Sequence, residues 1–78
     1  MKEIVYDLLI NVTGLQCPRP LLKTKQTLGD MRPGQVLKVV ATDKATRMTF
    51  TAYLKSSGDE LLKMEEYAEE IHHYIRKK

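Results

Sequence analysis

Two prolines separated by one residue, Pro18 and Pro20, constrain the fold of this chain more than any other local feature. Proline lacks a backbone N–H and has a fixed φ, so it fits the first turn of a helix and disrupts a helix interior. Gly14 lies just upstream and interrupts the preceding pattern. The segment therefore predicts that a strand ends before Gly14 and that a helix begins near Cys17, with Pro18 at its first position.

The flanking segments have clear periodicity. Residues 3–11 alternate as a strand does, with one predicted face formed by Ile4, Tyr6, Leu8 and Ile10. Apolar and small residues then recur at helical spacing and are predicted to face the core, at Leu21, Thr24, Leu28 and Met31. Pro33-Gly34 is a turn pair, and residues 35–41 read as a well-buried strand.

Beyond Asp43 the local signals predict a different order of elements. Residues 46–54 are rich in Thr and aromatic side chains, which favours a strand. Residues 59–76 carry apolar residues at heptad-like spacing among good helix formers. Local propensity alone therefore predicts the order β-α-β-β-α.

Length and cysteine content limit the possible functions. A chain of 78 residues is expected to form a single domain over 1–78 and to bury only roughly 60% of its unfolded surface. Its one cysteine, Cys17, excludes an internal disulfide and a cysteine-based zinc cluster, and neither a metal nor a cofactor is expected. No apolar run approaches the roughly 18 residues of a membrane span, and the N-terminus lacks a signal-peptide pattern. A cytoplasmic protein without membrane contact is expected.

Charge is distributed unevenly along the chain. Residues 1–58 carry nine Lys and Arg against four Asp and Glu, whereas residues 59–78 carry four against six. The basic part includes Cys17. Such a balance favours acidic partners, which could be proteins, small anions or nucleic acid.

Cys17 has two possible roles. A free cysteine is commonly a small buried hydrophobe. At the N-cap of the predicted helix, however, its sulfur would meet the N–H of Arg19 and the positive end of the helix dipole, because Pro20 has no N–H to donate. Arg19 and Lys23 add positive charge, and all three factors favour a reactive thiolate. Ser, Asp or Asn would cap the helix better than cysteine, which suggests a chemical role.

The usual partners of a catalytic cysteine are sparse. Only His72 and His73 could serve as a base, and at most one could approach Cys17 because neighbours in a strand point to opposite faces. The favoured interpretation is that both histidines are partly exposed polar residues near the terminus. A resolving cysteine is absent, which excludes dithiol chemistry within one chain. A nucleophile of this kind suits a carrier that holds sulfur as a persulfide.

The segment at residues 14–20, Gly-Leu-Gln-Cys-Pro-Arg-Pro, resembles the Cys-Pro-x-Pro signature of the TusA/SirA-like sulfur-carrier family. The similarity continues through residues 21–23, 31–37 and 41–43, and more weakly at 75–77. It therefore covers nearly the whole chain. The resemblance implies an α+β fold, a two-layer α/β sandwich of order β-α-β-α-β-β, with two helices on one face of a four-stranded mixed sheet.

That fold reverses two of the local predictions. Residues 46–57 become a second helix, and residues 60–66 and 70–76 become a hairpin that turns near residues 67–69. Thr46 or Thr49 could cap the helix, and Gly58 could end it. The residues expected to face the sheet are Met48, Ala52 and Tyr53.

The resemblance also implies an activity and its residues. Cys17 would be the catalytic sulfur acceptor, Gly14, Pro18 and Pro20 would set its geometry, and Arg19 and Lys23 would bind a partner or favour the thiolate. The implied partners are a cysteine desulfurase or another sulfur donor and a downstream acceptor such as a DsrE-like protein, with a monomeric carrier and at most indirect nucleic-acid contact. Family pathways include tRNA thiolation, sulfur oxidation, molybdenum cofactor supply and selenium metabolism.

Departures from the family pattern leave the pathway open. Asn11 stands where many members have Asp, Thr49 where Asp is common, and Asp59 where His is frequent. The alternative function is a small RNA-binding or regulatory interaction module without cysteine chemistry. Against RNA binding, the chain has no Trp, one Phe and no Gly-x-x-Gly loop.

Overall fold

A computed structural model describes residues 4–78 and contains six elements in the order β-α-β-α-β-β. They are β1 (Leu8–Val12), α1 (Arg19–Asp30), β2 (Val36–Ala41), α2 (Thr46–Ser57), β3 (Glu60–Glu66) and β4 (Ile71–Arg76). The strands form one sheet in the order β1-β2-β4-β3, in which β1 and β2 are parallel and the other pairs are antiparallel. The α+β sandwich with a mixed sheet is therefore confirmed.

One hydrophobic core joins both helices to the sheet. Leu28 of α1 and Phe50 of α2 are almost fully buried and belong to the same cluster as Val39 and Ile75 of the central strands. Because a single cluster receives side chains from both helices, α1 and α2 cover the same face of the sheet.

The first strand is shorter than its alternating sequence predicts. Pairing with β2 begins at Leu8. Just before it, the Asp7 N–H donates to the Val36 carbonyl at 2.8 Å, and the Asp7 carboxylate accepts the Val36 N–H at 2.8 Å. The predicted common face is also wrong. Ile10 packs against the core, whereas Tyr6 packs against the ring of Tyr74 on the other side of the sheet. Position 3 of the predicted strand lies outside the described residues.

The first helix and its turn follow the sequence closely. Thr24, Leu28 and Met31 are buried and Leu21 packs half-buried against the core, as their spacing predicts. After the helix, Gly34 has a φ of +89°, and the N–H of Gln35 closes the Pro33-Gly34 turn onto Arg32. This left-handed backbone conformation favours glycine, which has no Cβ.

The second helix confirms the element order implied by the resemblance and overturns the strand predicted from propensity. Gly58 ends it with a φ of +86°, and its N–H donates to the Leu54 carbonyl at 3.0 Å. The expected sheet-facing residues are partly wrong, because Met48 and Ala52 are exposed and Tyr53 is only half-buried. The buried stripe instead follows i, i+4, i+8 spacing through Thr46, Phe50 and Leu54.

The terminal hairpin is also confirmed. Its turn is closed by a hydrogen bond of 2.8 Å from the Tyr67 N–H to the Glu70 carbonyl. Strand β3 has an irregularity between Leu61 and Lys63, where the pairing with β4 shifts. Neither described helix has the length and apolar character needed to cross a membrane.

Candidate functional site

The candidate site lies at the edge of the sheet where the parallel strands β1 and β2 end. Val12 pairs with Ala41 at this edge, so the loops that leave the two strands start side by side. The Gly14 N–H donates to the Thr42 hydroxyl at 2.8 Å and joins one loop to the other. Both helices begin here, because each follows directly from one of these loops.

Gly14 allows the first loop to turn sharply. Its φ is +80°, in the left-handed region that side chains with a Cβ disfavour, and the next N–H, of Leu15, returns to the Val12 carbonyl at 3.2 Å. This backbone conformation explains why a glycine stands at position 14. Its role in positioning the thiol remains a prediction.

Cys17 is an exposed free cysteine, so it is not the small buried hydrophobe that a lone cysteine often is. It does not cap the helix, although its sequence context predicts an N-cap at Cys17. Pro18 is the N-cap, and the N–H of Arg19 donates to the Gln16 carbonyl at 2.9 Å instead of meeting the sulfur. Cys17 therefore lies one residue before the N-cap and not at the N-cap itself.

The two prolines occupy different environments. Pro20 lies in the first turn of α1 and is fully buried, whereas Pro18 is exposed and its carbonyl accepts the Leu22 N–H at 3.0 Å. The Cys17–Pro18 peptide bond is cis. Because Pro20 is buried, the start of the helix is fixed in the core, whereas residues 16–19 just before it are exposed.

Asp43 anchors the backbone of Cys17. Its Oδ2 accepts the Cys17 N–H at 2.7 Å, and its Oδ1 accepts the Ala45 N–H at 3.0 Å. The Ala45 bond, followed by the Cys17 bond, lowers the pKa of this carboxyl below its ordinary value, so Asp43 is ionised at neutral pH. One carboxylate therefore ties the thiol loop to the start of α2.

Sequence reasoning gave no role to Asp43, although a usable signal was present. The residue follows a buried strand that runs parallel to β1, and carboxyl ends of adjacent parallel strands share one edge of a sheet. A polar side chain directly after β2 is therefore placed to reach the loop after β1.

Hydrogen bonds of the buried Thr46 side chain link Asp43 to His73 of β4. The Thr46 hydroxyl donates to the Asp43 backbone carbonyl at 2.8 Å and lies 3.0 Å from His73 Nε2. Because the hydroxyl proton is used by the carbonyl, Nε2 must carry the proton and donate to Thr46. The His73 ring also packs on Phe50, with ring centroids 4.5 Å apart.

The two histidines do not form a dyad with the thiol. Burial, with a smaller contribution from His72, lowers the pKa of His73 to about 4, so its ring is neutral and held under α2 by Thr46. His72 instead lies 3.0 Å from the Glu70 carboxylate. The expectation of partly exposed histidines is wrong for His73, which is fully buried.

Two cationic side chains follow the thiol in the first turns of α1. Arg19 and Lys23 are exposed, and within residues 4–78 neither forms an ion pair. Neither helix has an acidic residue in its first turn, where a carboxylate would be favourable by about 0.3–1 kcal/mol. The helix ends at this edge are therefore not optimised for helix stability. In the part of the chain that the structure describes, no group of three or more His, Cys, Asp or Glu residues could hold a metal ion.

Comparison with known proteins places this geometry in a family. The profile described as Sulfurtransferase TusA matches residues 9–77. The chain is 40% identical over 72 residues to the sulfur carrier protein TusA of Allochromatium vinosum, covering 92% of this chain and 95% of that one. It is 36% identical over 78 residues to the sulfur carrier protein TusA of Pseudomonas entomophila, covering 100% and 98%.

A solved structure shows the same fold. The crystal structure of a SirA-like protein from Desulfitobacterium hafniense superposes with a TM-score of 0.79 at 21% identity and covers 90% of this chain and 96% of that one. The family profile and the two relatives support a sulfur-carrier role, which implies contact with donor and acceptor proteins. From the match over residues 9–77 and the identity to these relatives, the chain belongs to the TusA sulfurtransferase family.

Proposed function

We propose that this protein accepts sulfane sulfur on Cys17 as a persulfide and relays it to an acceptor protein. One observation carries the proposal: the only cysteine of the chain is exposed at the start of α1, with its backbone anchored by Asp43. The named function of the relatives agrees with this use of the thiol.

The chemistry requires two attacks on sulfur. In loading, the Cys17 thiolate attacks the terminal sulfur of a donor persulfide. A new S–S bond forms on Sγ, the donor S–S bond breaks, and the donor cysteine leaves as a thiolate. In unloading, an acceptor thiolate attacks the terminal sulfur on Cys17, and Cys17 leaves as a thiolate. No net oxidation occurs in either step.

The structure supports this chemistry in three ways. The thiol is open to a second protein, since Cys17 is exposed. Pro20 is buried and fixes the start of α1, which restricts the loop that carries the thiol. Arg19 and Lys23 are exposed cations within the first two turns of the same helix, where they can attract an anionic persulfide or an acidic partner.

The finer assignments belong to the same proposal. The donor is a cysteine desulfurase or another persulfide-bearing protein, and the acceptor is a DsrE-like or similar carrier. The sulfur goes toward tRNA thiolation or another sulfur pathway, and RNA is contacted only through that relay. The carrier works as a cytoplasmic monomer.

Intact-mass spectrometry after incubation with a cysteine desulfurase and cysteine tests the proposal. Wild type is expected to gain the mass of one sulfur atom, and a reductant should remove it. Cys17→Ser is the matched control and should gain nothing. The proposal is wrong if wild type stays unmodified with several donors, including inorganic polysulfide. Salt-sensitive RNA binding that survives Cys17→Ser, without any sulfur loading, would instead support the RNA-binding alternative.

A further inference from the structure

The face of the sheet that the helices leave uncovered carries a row of side chains from three strands. Lys38 of β2 pairs with Tyr74 of β4, which pairs in turn with Lys63 of β3. Because their neighbours Val39 and Ile75 belong to the hydrophobic core, Lys38 and Tyr74 point to the opposite, open face. A tyrosine therefore stands between two lysines on the side of the sheet away from α1 and α2.

This row lines a solvent-open cavity of about 280 Å³. Tyr6, which precedes β1, borders it with its ring centroid 6.4 Å from that of Tyr74. Tyr67, which follows β3, borders it as well and packs on His72, with centroids 4.7 Å apart. Tyr6 is 41% exposed and Tyr67 is 55% exposed, so both rings have surface available to a ligand. The polar and aromatic side chains of the cavity are Tyr6, Lys38, Lys63, Glu65, Tyr67 and Tyr74.

The charges of the cavity leave one cation without a carboxylate. Lys63 Nζ lies 3.1 Å from the Glu65 carboxylate, which also accepts the Tyr74 hydroxyl at 3.3 Å. Lys38 forms no ion pair within residues 4–78, and its Nζ lies 5.2 Å from the ring centroids of both Tyr6 and Tyr74. The lining side chains thus carry one net positive charge, and two aromatic rings hold the ammonium that supplies it.

We propose that this cavity binds a small planar aromatic anion, an arene carboxylate, with its carboxylate on Lys38 and its ring against Tyr6 or Tyr67. One negative charge on the ligand matches the one ammonium without a carboxylate, and a flat ring matches the exposed phenol rings. Cavities for drug-sized ligands measure about 300–1,000 Å³, so this smaller cavity suits a ligand of one or two fused rings.

Other anions fit the cavity less well. A nucleoside monophosphate is larger and carries close to two negative charges at neutral pH, the second of which the Glu65 carboxylate opposes. Inorganic phosphate would use the ammonium of Lys38 and leave the tyrosine rings without a partner. Neither an arginine nor the N-terminus of a helix lines the cavity, and these are the groups that proteins most often use to hold phosphate.

The cavity is separate from the thiol. Lys38 lies three residues before Ala41, where β2 ends, which corresponds to about 10 Å along the strand. It also faces away from α1, the helix that follows Cys17. Ligand binding here is therefore a function beyond sulfur transfer, and the two can be measured independently.

NMR titration of the ¹⁵N-labelled full chain with three probes tests the proposal. The probes are 1-naphthoate, the uncharged 1-naphthamide and the non-aromatic cyclohexanecarboxylate. Naphthoate is expected to bind at least fivefold more tightly than either of the others, because only naphthoate offers both the charge and the ring. The amide shifts should centre on Lys38, Lys63 and Tyr74 and leave residues 14–19 unchanged.

Variants assign the two parts of the site. Lys38→Met removes the charge and keeps an unbranched side chain, and it should weaken naphthoate about tenfold with no change for naphthamide. Lys25→Met is the matched control, because Lys25 Nζ also lies over a tyrosine ring, 4.9 Å from the centroid of Tyr53, but on the helices. It should bind naphthoate as wild type does. Tyr6→Leu should reduce the preference for naphthoate over cyclohexanecarboxylate.

Three results would overturn the proposal. The first is an absence of shifts around Lys38 in wild type at millimolar naphthoate. The second is equal binding of naphthoate and naphthamide, which requires no variant to fold. The third is tighter binding of AMP than of naphthoate at the same amides, which would assign the cavity to nucleotides.

These outcomes are independent of the carrier function. Cys17→Ser should bind naphthoate as wild type does, and Lys38→Met should load sulfur as wild type does. If naphthoate does not bind while Cys17 loads sulfur, the cavity proposal is wrong and the carrier function stands. If Cys17 never holds sulfur, the carrier function is wrong whatever the titrations show.

Discussion

The starts of the two helices share one carboxylate and differ in almost everything else. At the start of α1, Cys17, Pro18 and Arg19 are exposed, and the thiol loop is joined to the other helix through the Cys17 N–H and Asp43. At the start of α2, Thr46 is buried and bonded to His73 and to the Asp43 carbonyl. Neither N-cap residue supplies a side-chain hydrogen bond to its helix.

This difference separates the residues that stabilise the fold from the residue proposed to carry sulfur. A reactive group that must meet other proteins has to be exposed, and exposed loops contribute few packing contacts. Thr46 packs in the core at the start of α2, and Asp43 joins that helix start, through the Ala45 N–H, to the thiol loop, through the Cys17 N–H. Mutations at the two helix starts should therefore affect stability and the proposed sulfur chemistry separately.

The largest expected effect is a loss of stability at the buried helix. Phe50→Ala removes an almost fully buried ring that packs on His73, and it should lower the free energy of unfolding by about 3–5 kcal/mol. Met48→Ala is the matched control on the same helix. Because Met48 is exposed, its loss should change stability by about 0.5 kcal/mol or less. Urea unfolding followed by circular dichroism measures both, and equal losses would contradict the comparison.

A smaller effect is expected from acidification, again through the buried helix start. Burial lowers the pKa of His73 from its ordinary value of 6.5 to about 4, so the unfolded chain binds a proton at this site before the folded chain does. The stability contribution of neutral His73 is therefore complete above about pH 6.5 and declines as the pH falls toward 4. Unfolding at pH 7 and pH 5 should show this decline.

Variants of the two histidines assign that pH dependence. His72→Gln should retain most of the decline between pH 7 and pH 5, because the buried ring of His73 is still present. His73→Phe should remove it, whatever the stability of that variant at pH 7. A decline that survives His73→Phe would show that another group controls the acid sensitivity.

The smallest expected effect on stability is at the bridge itself. Asp43→Asn leaves one oxygen to accept two N–H groups, so either the Cys17 bond or the Ala45 bond is lost. Hydrogen exchange of the Cys17 or Ala45 amide should become several-fold faster, with a smaller loss of stability than for Phe50→Ala. Asp30→Asn, at the far end of α1, is the control and should leave both amides protected.

The two hydrogen bonds of Asp43 also predict the direction in which stability changes with pH. Because the pKa of Asp43 is lowered in the folded protein, its stabilising bonds are complete above its ordinary pKa and are lost as the pH falls through the lowered value. If the two amides keep equal protection in wild type and in Asp43→Asn, the carboxylate does not hold the thiol loop.

Much of the fold could be predicted, but the second half needed more than local rules. The periodicity of Thr24, Leu28 and Met31 gave the buried face of α1, because a helix repeats at a fixed spacing wherever it packs. Propensity failed over residues 46–57, since Thr and aromatic side chains favour strands while packing against the sheet stabilises a helix. The family resemblance supplied the correct order for that part.

The candidate site shows the same division. The sequence singled out Cys17, with the prolines that begin its helix, and the exposed thiol agrees with that prediction. The roles of Gly14, Pro18, Pro20, Arg19 and Lys23 remain predictions. The N-cap position of Cys17 was wrong by one residue, because the Arg19 N–H bonds to Gln16 and not to sulfur.

The sequence by itself singled out Cys17 as the candidate for the chemistry, and it determined where each helix stops at a glycine or turn and which side chains of α1 are buried. Those properties follow from the chemistry of single residues and from short repeats. Only the tertiary structure decided that Asp43 holds Cys17 and that His73 supports Thr46. The physical reason is that these contacts join residues 26 and 27 positions apart, and only the pairing of β1 with β2 and of β2 with β4 brings them together.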